Sequence, residues 1–343
     1  MKTEEVGEAL APWFAARLGL DAARVVELRR HAEGFSWETY TLAVEGGGER
    51  RGYAVRVEPR DGLLAPYDIR GQYELHAAVV AHSDVPMPAL HWLELDEAVL
   101  GMPFFVMERL EGVVPVQWRG KDPAIFPDDA ARREIGLEFV RVLALVHAVD
   151  PQAAGLGFLG EHDASDAAAR AQIDHWEGYY ADSVLVELPL VRYALGWLRG
   201  SVATSGRVGL CHGDYRIGNF MLGPERRIVG VFDWELAHLS DPVEDIAYAG
   251  LPLFRGRSPL LSQLLAPDEF FARYEELTGL RVEPATFRFW TVLGLVKTIA
   301  SFMRGVRAFE EGRIRDLRLA AMGHQVQHTL RHLAVALELV EAP

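Results

Sequence analysis

Strand-like runs dominate the first hundred residues. ARVVELRRHA (23–32) predicts a strand, EGFSWETYTLAVE (33–45) a turn entering a second, GGGER (46–50) a hairpin loop, and RGYAVRVEP (51–59) the return. The period then changes over 67–82, where Ile69, Tyr73, His76, Ala77 and Val80 fall at helical spacing, and Pro86 and Pro88 close that helix. ALHWLELD (89–96) and GMPFFVMERLEG (101–112) predict another antiparallel pair. Beyond Glu111 the pattern is helical over 128–149, 165–200, 241–253, 267–278, 284–309 and 313–341, interrupted by one strand-rich island from Gly209 to Trp234.

These elements predict an α+β chain in two lobes. A small antiparallel sheet lobe with one helix occupies 1–107, and a larger, mainly helical lobe occupies 108–343. The cleft expected between them is a sound place for a nucleotide.

Composition narrows the function. At 343 residues, 50% hydrophobic, the chain can bury a large core. No unbroken apolar run of membrane-spanning length is visible, and MKTEEVGEALAPWF lacks an apolar signal segment, so a cytoplasmic protein without membrane partners is expected. The single cysteine, Cys211, fits a reducing compartment. A net charge of −14 opposes non-specific binding to nucleic acid. Lysine occurs only at positions 2, 121 and 297.

The chemistry concentrates in LCHGDYRIGNFMLGPERRIVGVFDWELAHLSDPVEDIAYAG (210–250). HGDYRIGN sets the carboxylate of Asp214 five residues before the carboxamide of Asn219. FMLGPERRIVGVFD predicts a tight hairpin turning at Gly223-Pro224, which returns Asp233 beside Asn219. Two acids and an amide suit phosphoryl transfer, where catalysis is mostly positioning and charge neutralisation. One carboxylate and one amide oxygen leave a Mg²⁺ ion room for phosphate oxygens and water, and the other acid can receive an acceptor hydroxyl's hydrogen bond and proton.

HGDYRIGN, the Asp of FDWE fourteen residues after its Asn, and DPVEDIA together resemble the aminoglycoside phosphotransferase/choline kinase group. Within it, the chain looks most like the bacterial phosphotransferase branch related to kinase domains fused to acyl-CoA dehydrogenases. The resemblance implies a bilobal protein-kinase-like fold with ATP (or GTP) and Mg²⁺ as cofactors. It implies Asp214 as catalytic base and Asn219 and Asp233 as metal ligands. His212 and Asp245 would support the catalytic loop, and Asp241 would cap the helix begun by Pro242.

It also implies a nucleotide site. Gly34, Phe35 and Ser36 lie in a turn where backbone N–H groups could meet phosphates. Met107 would be the gatekeeper, with the Glu108 carbonyl and Leu110 N–H facing adenine; the plain alternative for this segment is a core strand. The third strand departs from the family pattern: AVRV puts Arg56 where a lysine is usual, with Glu74 on the next helix as its expected partner.

GxxxxGK[ST], HRD, DFG and APE are all absent, which favours a small-molecule hydroxyl acceptor over a peptide. Trp234, Glu235, Trp176 and Tyr180 are candidate acceptor-pocket residues, with ordinary core as the alternative. The acceptor could be a hydroxy acid or its CoA thioester, a macrolide, an aminoglycoside or an amino alcohol, and the protein a monomer or homodimer. A nucleotide-binding pseudokinase is the competing reading. His324, His328 and His332 share one helical face, but the outer two stand about 12 Å apart, too far to bind one ion.

Overall fold

Tyr40, Leu42 and Val44 alternate along β2 (Glu38–Gly46), and these side chains are buried in the core of a five-stranded antiparallel sheet. The computed structural model describes residues 3–31, 37–116 and 122–341. They divide into two compact units, Met1–Ala77 with Met87–Glu111, and Ala78–Pro86 with Gly112–Pro343.

In the first unit, β1 (Arg24–His31), β2 and β3 (Glu49–Val57) form a meander, and β5 (Phe104–Glu108) joins β3 to the edge strand β4 (Leu90–Glu94). Residues 53–57 of β3 are all buried, so both faces of that strand are covered. One cover is α1 (Thr3–Leu18), a helix the strand-dominated reading of this region does not include. Val6, Leu10 and Phe14 recur at four-residue intervals and are buried in the core. Trp13 packs edge-on against Trp92 and donates its indole N–H to Glu94 at 2.8 Å. Pro12 stands inside this helix, a position that ordinarily argues against one; the buried aromatic face outweighs that local cost.

Helix α2 (Ile69–His82) turns Tyr73 and His76 onto Phe105 of β5. That orientation leaves Glu74 exposed.

The second unit is mostly helical: α3 (Asp129–His147), α4 (Ser165–Ser183), α5 (Pro189–Gly200), α6 (Val243–Ala249), α7 (Pro252–Arg255), α8 (Pro267–Thr278), α9 (Pro284–Glu310) and α10 (Leu317–Ala336). The expected single helix over 165–200 is two, because Val184 is extended and Pro189 starts a new helix. The helical pattern at 241–253 likewise breaks at Gly250 into α6 and α7.

Two short antiparallel ladders lie among the helices. β6 (Gly209–Cys211) pairs with β9 (His238–Ser240), and β7 (Phe220–Leu222) pairs with β8 (Ile228–Val231). Helix α9 is long and apolar enough to cross a membrane by length and composition, yet 72% of its most apolar window is buried within the protein. It packs against α4, α6 and α10, as the central helix of a globular core.

Candidate active site

Asp214 sits just beyond β6, on a loop whose backbone is held by side chains. The N–H groups of His212 and Gly213 donate to the two oxygens of Asp245, at 2.7 and 2.8 Å. Asp214 N–H donates to His212 Nδ1 at 3.2 Å, while His212 Nε2 meets the Phe232 carbonyl at 2.8 Å. These bonds agree on one tautomer, with the proton on Nε2 and a bare Nδ1. Burial pulls the imidazole's pKa down, which keeps that neutral form.

The second loop follows β8. Phe232 N–H donates to the Asn219 carbonyl at 2.8 Å, extending the β7–β8 ladder in which Phe220 faces Val231. This register sets Asp233 next to the residue opposite Asn219. Asp233 itself adopts a left-handed conformation (φ 61°, ψ 55°), uncommon for a non-glycine residue and frequent at functional turns. A 3₁₀ turn, Trp234–Leu236, leads from it to β9.

The side chains then converge. Asn219 Nδ2 donates to Asp214 Oδ2 at 2.6 Å and to the Asp214 carbonyl at 2.9 Å. With its nitrogen so engaged, the amide's Oδ1 is left as a hard-oxygen donor. Arg216, to which the sequence pattern assigns no role, bridges both carboxylate oxygens of Asp214 through Nε, at 3.0 and 3.2 Å. Its guanidinium lies 5.2 Å from the Phe254 ring centroid. Only the short Asp-x-Arg spacing could have hinted at this ion pair.

Behind the loop stands a buried chain of hydrogen bonds. Asp245 meets His147 Nε2 at 3.1 Å, and His147 Nδ1 meets the Tyr274 hydroxyl at 2.6 Å. Burial alone would raise the Asp245 pKa, but His147, His212 and the N–H donors together hold it below the usual carboxylate value. Cys211 Sγ lies in the same cluster and donates to the Asp241 carbonyl at 3.5 Å, so hydrogen bonds account for the group. Asp241 accepts the Val243 N–H at the start of α6 and the Ser205 hydroxyl, each at 2.9 Å.

Of the proposed acceptor-pocket residues, Trp234, Trp176 and Tyr180 are buried, while Glu235 is half-buried in the 3₁₀ turn. Trp234 packs on His212 with ring centroids 4.7 Å apart, and its indole N–H donates to Val231. The Tyr180 hydroxyl accepts the Leu188 N–H at 2.9 Å, where it ties α4 to the entry of α5. Trp176 Nε1 has no hydrogen-bond partner among the described residues.

In the first unit, Gly34, Phe35 and Ser36 lie outside the described residues. Arg56 is buried on β3 with its guanidinium 5.0 Å from the Trp37 ring centroid. The expected pairing of Arg56 with Glu74 is not formed, because α2 turns Glu74 to solvent and presents His76 to the sheet instead. Met107 is buried opposite Ala54, Glu108 N–H donates to the Ala89 carbonyl at 2.8 Å, and Leu110 follows the end of β5.

Comparison with known proteins identifies the family and the fold. The family model described as "Phosphotransferase enzyme family" matches residues 27–282. Mouse acyl-CoA dehydrogenase family member 10 is 30% identical over 281 residues, covering 78% of this chain but only 25% of that protein's length. A Ralstonia eutropha protein crystallised as a candidate aminoglycoside phosphotransferase superposes with TM-score 0.75 at 24% identity, covering 98% of this chain and 99% of its own. A thermostable mutant of aminoglycoside phosphotransferase APH(4)-Ia, solved with ADP and hygromycin B, gives 0.57 at 17% identity and covers 94% and 98%. With the family model spanning both the sheet and the Asp214–Asp233 region, the chain belongs to the phosphotransferase enzyme family and has its kinase-like α+β fold.

Proposed function

We propose that this chain moves a phosphoryl group from ATP, or GTP, to a hydroxyl of a small molecule. The observation that carries the reading is the Asp214–Asn219 contact beside the Asp233 turn. The donor set fits a hard divalent cation: Asn219 keeps Oδ1 and Asp233 brings a carboxylate on a strained turn. Bound there, Mg²⁺ would neutralise charge on the transferring phosphate.

Asp214 orients the acceptor hydroxyl by accepting its hydrogen bond and takes its proton late in transfer. Arg216 holds both carboxylate oxygens, so the acid is fixed in rotamer before the acceptor arrives. Asn219 donates to the same carboxylate through Nδ2. Nucleotide binding is supported by the ADP complex of the APH(4)-Ia structure. In this chain we assign it to Arg56, residues Gly34, Phe35 and Ser36, Met107, and the backbone of Glu108 and Leu110. The acceptor belongs among hydroxy acids or their CoA thioesters, macrolides, aminoglycosides and amino alcohols, and cytosolic action is part of the proposal.

An ADP-release screen over those four acceptor classes tests the reading. Asp214→Asn and Asp233→Ala should abolish turnover with the fold intact; a folded Asp214→Asn that turns over normally sinks it. The absent Arg56–Glu74 pair favours a second reading, a nucleotide-binding module without transfer activity. Mg·ATP would then raise the melting temperature of the wild type but not of Asp233→Ala, while no acceptor in the screen released ADP.

A further inference from the structure

Of the three lysines in the sequence, Lys297 is the one within the described residues, and it is 2% exposed in the middle of α9. Its ammonium donates to the Gly213 carbonyl at 2.5 Å and lies 3.7 Å from Glu244 Oε1. The rings of Trp176 and Tyr248 stand 5.1 and 4.7 Å away, centroid to nitrogen. Burying an ammonium costs several kcal/mol unless partners restore what water supplied, whereas a methionine would fill similar space without that cost. The carboxylate, the carbonyl and two aromatic faces are those partners.

The contacts close into a ring. The other Glu244 oxygen meets His238 Nε2 at 3.0 Å, and His238 Nδ1 meets the Leu236 carbonyl at 2.8 Å. Both imidazole nitrogens therefore face acceptors, the arrangement of a charged ring beside a carboxylate. That Leu236 carbonyl is the atom a side chain on Gly213 would strike, at 2.2 Å from an added Cβ. The circuit thus runs from Gly213 through Lys297, Glu244 and His238 to Leu236 and back to Gly213. Leu236 ends the turn that Asp233 begins, and Gly213 precedes Asp214.

We infer that Lys297 is a positioning residue for the transfer site, one that fixes the peptide group carrying Asp214 and ties it to the Asp233 turn. The peptide between Gly213 and Asp214 is gripped at both ends: its carbonyl by Lys297 Nζ, its N–H by His212 Nδ1. Neither end can rotate without breaking a buried bond. This inference rests on the reading of Asp214 as the acceptor-orienting acid.

The test compares wild type, Lys297→Met, Lys297→Arg and His238→Gln by ADP release, with the best acceptor from the screen and with water alone as acceptor. Mg·ATP affinity is followed by thermal-shift titration. Lys297→Met should lower kcat about tenfold to a hundredfold, the scale of a small misplacement of a reacting group. Its KM for nucleotide and its Mg·ATP midpoint should stay within about twofold, since nothing that touches nucleotide has changed. Lys297→Arg should recover part of the loss. His238→Gln should show the same kcat-selective defect, smaller in size, and gives the answer if Lys297→Met fails to fold. Wild-type kcat in Lys297→Met, or in His238→Gln when the former is unfolded, overturns the inference, as does a loss confined to nucleotide KM. Asp214→Asn run alongside separates the two failures: if it turns over, the reading of Asp214 as the acceptor-orienting acid falls, and if it is dead while Lys297→Met is fully active, only the role of Lys297 falls.

Discussion

Asn219 Nδ2 lies 2.6 Å from Asp214 Oδ2 and 2.9 Å from the carbonyl of the same residue, so one amide group holds both the side chain and the backbone of the acid. Asn219→Asp replaces that donor with a second carboxylate facing two acceptors. Repulsion should swing both acids out of place. Turnover is expected to fall by about a hundredfold or more, the usual scale for a displaced general base, with the circular dichroism spectrum unchanged. An ADP-release assay checks it, and near-normal activity would mean the contact is incidental.

Gly213 has φ +80°, and a Cβ there would sit 2.2 Å from the Leu236 carbonyl oxygen. Backbone cannot yield as a flexible side chain can. Gly213→Ala should therefore cost about 3 kcal/mol, combining left-handed strain with the displaced carbonyl. Chemical denaturation reads this directly. A variant as stable as wild type would show that the two loops do not approach as closely as described.

Much of the site was legible because its residues are close in sequence and their order carries the chemistry. The Gly223-Pro224 turn and the strand pattern around it were enough to set Asp233 beside Asn219, as the β7–β8 register shows. What stayed hidden depends on distant partners. Lys297 lies 84 positions from the carbonyl it grips, and nothing in an apolar helical stretch marks one lysine as inward-facing. His147 meets Asp245 across 98 positions. In the sheet unit, α1 is hidden because Pro12 stands in its interior and its aromatic face is explained only by Trp92 and Phe104, although Glu4 and Glu5 in the first turn are an ordinary helix-start signal. Strand alternation set Arg56 on the face opposite Tyr53 and Val55, but the orientation of α2 decided that Glu74 would not meet it.

Cys211 gives a simple check on the buried floor of the loop. Burial, reinforced by Asp245, Glu244 and Asp241, pushes its thiol pKa well above the ordinary value. A thiol that stays protonated and enclosed reacts slowly. At pH 7.5 the native protein should leave a chromogenic disulfide reagent unconsumed over an hour, and one equivalent should react after unfolding in guanidinium. Rapid stoichiometric labelling of the native state would place Cys211 at the surface.

His76 supplies a pH signature in the sheet unit. Its Nε2 faces the Pro88 carbonyl at 2.7 Å and its ring packs edge-on to Phe105. Burial first, and the charge of Arg56 in addition, pull its pKa down to about 4, while the hydrogen bond to Pro88 opposes them. The sign follows from which state takes the proton. Below its ordinary value of 6.5 the unfolded chain protonates this residue while the folded chain does not, so the stability its neutral form provides is complete above that pH and declines as pH falls toward 4. The shift corresponds to about 3 kcal/mol in full, of which about 2 kcal/mol is gone by pH 5. His76→Gln can still donate to the Pro88 carbonyl but has nothing to titrate. Urea unfolding at pH 7 and pH 5 should therefore show a loss of stability in the wild type that exceeds the variant's by about 2 kcal/mol. Equal losses in the two proteins would mean that His76 is solvated, or charged, in the native sheet.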